Sequence, residues 1–242
     1  MLPELQRRAS DPNINVPTIP FDKHRGSALT SLLGFGLTGE ALAVMIDMLK
    51  ITVVVENFMS GNLLNADIMA LKSWRDVTHH RLLSLPTGAA LSESLGAAAC
   101  FYECCRLAAL MYAVAVLFPM PRTTDVPQKL VKAIKLCVSQ IDISTLHRGR
   151  HFFIWVLALT AVAAASLPER PWYEEELAGL LSLENVSRWS ELKQILASFL
   201  WMDSACDEGA MELWDEIASR IFLRFERRTG NSTSSAASVE SA

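Results

Sequence analysis

Between Ser92 and Pro121 the chain reads SESLGAAACFYECCRLAALMYAVAVLFPMP, apolar almost all round. Gly96 is its only glycine, and no proline precedes Pro119. Small residues such as Ala97, Ala108 and Ala115 alternate with large ones such as Leu107, Met111 and Tyr112. A helix with no polar stripe must be buried on most faces. The alanines let neighbouring helices come close, and the large side chains fill the space between them. At the usual rise per residue the stretch predicts a rod roughly 40 Å long, stopped by Pro119 and Pro121. Glu103 and Arg106 interrupt it, and the charge-free part, Leu107 to Phe118, falls short of the about 20 residues that a bilayer demands. Three apart, the two charges share a face and can pair. Left unpaired there, either would be costly. The stretch therefore predicts the long buried central helix of an all-α domain, not a membrane span.

Composition supports one compact multi-helix domain. The 242 residues are 51% hydrophobic and 20% charged, which implies a large core or a buried self-association surface. A formal net charge of −4 argues against a self-sufficient nucleic-acid binder, which needs a basic face. The opening MLPELQRRASDP lacks the apolar segment of a signal peptide. The five cysteines, mostly in apolar helical runs, fit buried thiols in a reducing compartment, cytosol or nucleus.

Taken in order, residues 1–20 hold Pro3, Pro12, Pro17 and Pro20 and predict an extended arm. Ser27 to Leu37 predicts a short helix and a turn. Thr38 caps a helix running from Glu40 to Phe58, which Gly61 and Asn62 end. Asn65 or Asp67 begins the next, with Ile68, Leu71, Trp74, Thr78, Leu82 and Leu85 in one stripe and a stop at Pro86 and Gly88. Asp125 and Pro127 open a helix with Leu130, Ile134, Val138 and Ile141 inside and Lys129, Lys132 and Lys135 solvated. His151 to Leu167 predicts a core helix ended by Pro168, and Pro171 opens another with Glu174, Glu175 and Glu176 near its first turn. Ser187 begins a helix carrying Leu192, Ile195, Leu196 and Phe199. Ser204 with Asp207 resembles a capping box for the last helix, which carries Leu213, Ile217, Ile221 and Phe225 and ends in Arg224, Arg227 and Arg228. Residues 21–228 thus form the helical domain, and 229–242 a disordered tail.

Few clusters suggest chemistry. Cys100, Cys104 and Cys105 share a helix face, but tetrahedral zinc needs about four ligands and no histidine is near, so buried thiols are predicted. His147 and His151 flank the basic RGR and read as a loop entering a helix; His79 and His80 read as surface residues. Asp203, Asp207 and Glu208 could suggest a magnesium site, but no second acidic cluster faces them. Trp155, Trp172, Trp189, Trp201 and Trp214 read as core, with a pocket for a small apolar ligand as the sharper alternative. No cofactor, metal or catalytic residue is assigned.

Four segments carry a family resemblance. ECCRLAALMYAVAVLFPMP, Glu103 to Pro121, resembles a signature of the fungal-specific transcription factor domain, the regulatory region that follows a binuclear zinc cluster in many fungal regulators. FFIWVLALTAVAA with PERPWYEEEL, Phe152 to Leu177, and SRWSELKQILASFLWMDSACDEGAMELWDEI, Ser187 to Ile217, are similar to further family segments in the same order. LKSWRDVTHHRLLSLP resembles an earlier family helix, and the likeness covers roughly residues 20–226. Members that read DNA do so through closely spaced cysteines holding two zinc ions, which five scattered cysteines cannot build. A basic linker and a dimerising coiled coil are missing too. The resemblance implies the regulatory half without the DNA-reading half: a non-enzymatic, nuclear (or cytoplasmic) effector domain acting through protein contacts or ligand response. Its partners would be a DNA-bound regulator, a second copy of itself or a small apolar ligand, with no direct nucleic acid and no membrane. The alternatives are a fragment of a longer zinc-cluster DNA-binding regulator and a helical magnesium-dependent prenyl-diphosphate enzyme. Glu103, Arg106, Tyr112, Trp201, Asp203 and Asp207 are the structural or regulatory candidates.

Overall fold

Apolar stripes at helical spacing, punctuated by proline and glycine, yield an all-α bundle. A computed structural model of the chain describes residues 23–61, 68–120 and 124–236. The predicted arm over 1–20 and the start at Asn65 or Asp67 lie outside the described residues. In chain order the helices are α1 (Lys23–Ser31), α2 (Gly39–Met59), α3 (Ile68–Ser84), the single turn α4 (Ser92–Leu95), α5 (Ala99–Tyr112), α6 (Val126–Gln140), α7 (Ile143–Arg148), α8 (Arg150–Ala163), α9 (Arg170–Leu183), α10 (Trp189–Ala197) and α11 (Asp203–Ala236). A 3₁₀ turn, Leu32–Phe35, follows α1, and a π-helical turn, Ala113–Leu117, continues α5.

Local chemistry sets several boundaries. Thr38 lies in the extended region and its Oγ1 accepts the Ala41 N–H at 3.3 Å, which starts α2. Pro127 and Pro171 occupy the first turns of α6 and α9, where their missing N–H costs nothing. Gly36 closes the first turn at φ 108°, and a Cβ there would stand 2.4 Å from that of Ala98.

The core is built around α8 and α5. Every side chain from Phe152 to Ala161 is buried, and α8 packs against α5, α6, α7, α9, α10 and α11. α5 in turn packs against α3, α6 and α8. An aromatic chain runs through the centre: Phe35 to Phe101 at 5.3 Å, Phe101 to Phe152 at 5.2 Å, Phe152 to Phe199 at 6.0 Å and Phe199 to Trp155 at 5.6 Å. Such ring pairs add about 0.5–1.5 kcal/mol each beyond the area they bury. They tie the amino-terminal turn to α5, α8 and the segment before α11.

Several expectations change. The 92–121 run is not one straight rod. Gly96 sits at φ 52° and ψ −127°, so the chain turns there and regular α-helix begins only at Ala99. From Ala89 to Leu117 it is long and apolar enough to cross a membrane, yet its most apolar window is 67% buried within the bundle, as a core helix requires. Lys135 is half-buried, its ammonium 5.2 Å above the Trp172 ring, rather than freely solvated. α8 ends at Ala163, ahead of Pro168. α9 begins at Arg170, so the three glutamates lie near its first turn, directly after it, and Glu174 is buried in ion pairs with Arg170 and Arg220. The residue flanking α10 is Arg188 rather than Ser187, with Glu191 accepting both their N–H groups at 3.2 and 2.9 Å. α11 runs on to Ala236, past the Thr229 at which the tail was expected to begin.

Candidate functional site

Two clusters hold the candidate residues, and a cavity lies beside one of them. The first is the charged pair inside α5. Arg106 donates through Nε and Nη2 to Glu103 at 2.9 and 2.6 Å. Glu103 Oε2 also accepts the Gly88 N–H at 2.7 Å. The two side chains are only 12% and 20% exposed, so the pair sits at the edge of the core. The Glu103 carboxylate holds the Arg106 guanidinium above its ordinary value. A Cβ on Gly88 would lie 2.6 Å from the Ala99 carbonyl, so the close approach depends on glycine. One residue before Glu103, the Tyr102 hydroxyl donates to the Pro86 carbonyl at 2.9 Å. The 86–88 corner is thus fastened to α5 twice. Tyr112, fully buried at the other end of α5, pairs its hydroxyl with Thr52 Oγ1 of α2 at 2.8 Å.

The second cluster joins α10 to α11. Lys193 donates to Asp203 at 2.6 Å and to Asp207, whose Oδ1 also accepts the Trp201 indole N–H at 2.8 Å. The expected capping box at Ser204 and Asp207 does not form: Asp207 is turned to Lys193 and Trp201, and the Asp203 N–H is met by Glu56 of α2 at 2.9 Å. The two carboxylates share an ammonium, which opposes a magnesium site on the same pair. Trp155 supports this corner by donating to the Leu200 carbonyl at 2.8 Å.

Sequence distance concealed other neighbours. Cys137 of α6 comes beside Cys100 of α5, whose thiol donates to the Cys137 carbonyl at 3.3 Å. Burial pushes Cys137 up to about 12 and Cys206 up to about 11, and raises Cys104 and Cys105 well above the ordinary thiol value. Burial thus favours the thiol over the thiolate that binds metal. Among the described residues no group of three or more His, Cys, Asp or Glu is placed to hold a metal ion. His79 is not a plain surface residue. Its ring stacks on Phe118 at 4.2 Å, and burial lowers its pKa. His151 is exposed and meets Glu184 at 3.1 Å.

Of the five tryptophans named above, Trp201 lines a cavity that the other four do not reach. This space of about 580 Å³ lies between the π-helical turn, the start of α6, the end of α8 and the start of α11. No residue-periodicity signal announces it, because its walls come from four separate segments.

A sequence model of the fungal specific transcription factor domain matches residues 62–208. No curated protein matches the chain. No solved structure matches it either. The matched span contains the Glu103–Arg106 pair, the core helices α5 and α8 and the Lys193–Asp203–Asp207 junction. It also covers well over half of the chain, which therefore belongs to the family of the fungal specific transcription factor domain.

Proposed function

We propose that this chain is the regulatory module of a transcription regulator, working in the nucleus through protein contacts or ligand response and leaving DNA reading to another module. The family match over 62–208 carries the regulatory part. The packing of Cys104, Cys105 and Cys206 into the core, and a net charge of −4, support the part about DNA. Glu103 pairs with Arg106, and Asp203 and Asp207 pair with Lys193, so the named candidates read as fixings of the fold and not as reacting groups.

The test is a gel-shift series on the purified chain at physiological salt, paired with affinity capture from the source cell. The expected result is no sequence-selective retention of any duplex, and capture of a DNA-bound regulator or of a second copy of the chain. Tight, sequence-selective retention of a duplex by the chain alone would overturn the reading.

A further inference from the structure

The cavity beside Trp201 serves none of the contacts described above, and its chemistry goes beyond the regulatory reading. Its floor is apolar and buried: Met111, Val114, Leu159, Trp201 and Cys206. Its sides carry alanines that are exposed although they face a concave space, Ala115 on the π-helical turn, Ala165 after α8 and Ala205 on α11. Side chains this small leave the space between three elements unfilled. At about 580 Å³ it falls inside the range of roughly 300–1,000 Å³ typical of small-molecule sites.

The wall on the α5 side is the π-helical turn. The Phe118 N–H bonds back to the Ala113 carbonyl at 2.7 Å, and the Met120 N–H to that of Val114 at 3.0 Å. Turns of this kind are rare and cluster at functional sites, because the widened backbone re-aims side chains at some cost in packing. Here it points Val114, Ala115 and Val116 toward the cavity lining.

Polar groups come from two of the elements. Thr124 and Gln128, near the start of α6, and Ser166 supply hydrogen-bonding groups. Asp125 is the single charge among the described lining residues, and Lys129 neutralises it at 2.5 Å. Among the described residues no lysine, arginine or histidine lines the space to receive an anion. Sulfur from Met111, Met120 and Cys206 gives the walls a soft, adaptable surface.

We infer that this cavity is a binding site for an uncharged, amphipathic small molecule that carries hydrogen-bonding groups as well as an apolar body. The apolar body lies on the floor at Trp201 and Leu159, and its hydrogen-bonding groups face Thr124 and Gln128. An occupant touches α5, α6, α8 and α11 together, so it stiffens the junction between both halves of the bundle.

The probe is the neutral fluorophore phenylnaphthylamine, titrated into the full chain. Its emission should rise saturably at one molecule per chain while tryptophan emission falls by energy transfer. Ala115→Phe, Ala165→Phe and Ala205→Phe fill the space from three different walls, each from an exposed position that leaves the core untouched. Each variant that keeps the wild-type far-UV dichroism should bind at least tenfold more weakly. Leu136→Ala, an exposed position outside the lining, should bind as the wild type does. Absence of saturable binding to the wild type, or unchanged binding by the folded filled variants, would overturn the site. Stronger competition by the anionic anilinonaphthalene sulfonate than by neutral analogues would overturn the ligand class.

Discussion

Replacing Glu103 by leucine removes an acceptor shared by Gly88 N–H and by Nε and Nη2 of Arg106. The guanidinium, 12% exposed, is then left inside an apolar helix with no other ion-pair partner among the described residues. Breaking a buried ion pair from one side costs about 3–5 kcal/mol, and the residual exposure here places Glu103→Leu near the lower end, at about 3 kcal/mol. Arg106→Met should cost less, about 2 kcal/mol, because the carboxylate keeps its bond from Gly88. The double variant removes both charges and leaves one unsatisfied backbone N–H, a loss of about 2 kcal/mol. The two single losses therefore do not add, and the coupling is about 3 kcal/mol. Urea unfolding followed by far-UV dichroism and tryptophan fluorescence measures all four proteins. Single losses under about 1 kcal/mol, or a double variant equal to the sum of the singles, would refute the reasoning that this pair is desolvated and mutually dependent.

Other outcomes follow from the same geometry. Gly36→Ala forces a Cβ onto a φ of 108° and against Ala98 at 2.4 Å, so it should lower stability by about 2–3 kcal/mol, read as a fall in the urea midpoint. Cys104 and Cys105, fully buried with raised pKa values, should resist a thiol reagent in the native protein and react only when it unfolds, as a timed colorimetric titration would show. Cys206 gives the alkaline dependence. Its thiol keeps its proton up to about 11 when folded, whereas the unfolded chain releases it near the ordinary value of 9.0. The native state then binds more protons across that window, so this contribution is complete below about pH 9 and is lost as pH rises toward 11. It is on the order of 2 kcal/mol, and Cys206→Ala should flatten the decline between those limits.

Much of the architecture could be read locally. The Thr38 cap, the prolines in the first turns of α6 and α9 and the stripe through Trp74, Thr78, Leu82 and Leu85 are short-range signals, and the structure uses each of them. The Glu103–Arg106 pair was legible because three residues span less than one helical turn. The break at Gly96 was less so: one glycine inside an apolar helix is often tolerated, and only its backbone angles show that the chain turns. Spacing could not show partners from distant segments. Lys193 between Asp203 and Asp207, Glu56 at the start of α11, and Glu174 between Arg170 and Arg220 all depend on how helices dock. Glu174 and Asp207, read from the sequence as helix-terminus acids, are instead held by tertiary ion pairs. The cavity was hidden for the same reason, being a gap left by small residues on separate elements.

The account rests on the five cysteines being packed as protonated thiols in a helical body. Metal analysis of the purified chain by inductively coupled plasma mass spectrometry, with dichroism recorded before and after a chelator, tests that most directly. Zinc far below one ion per chain and helicity untouched by the chelator are the expected results. Stoichiometric zinc whose removal unfolds the helices would contradict it.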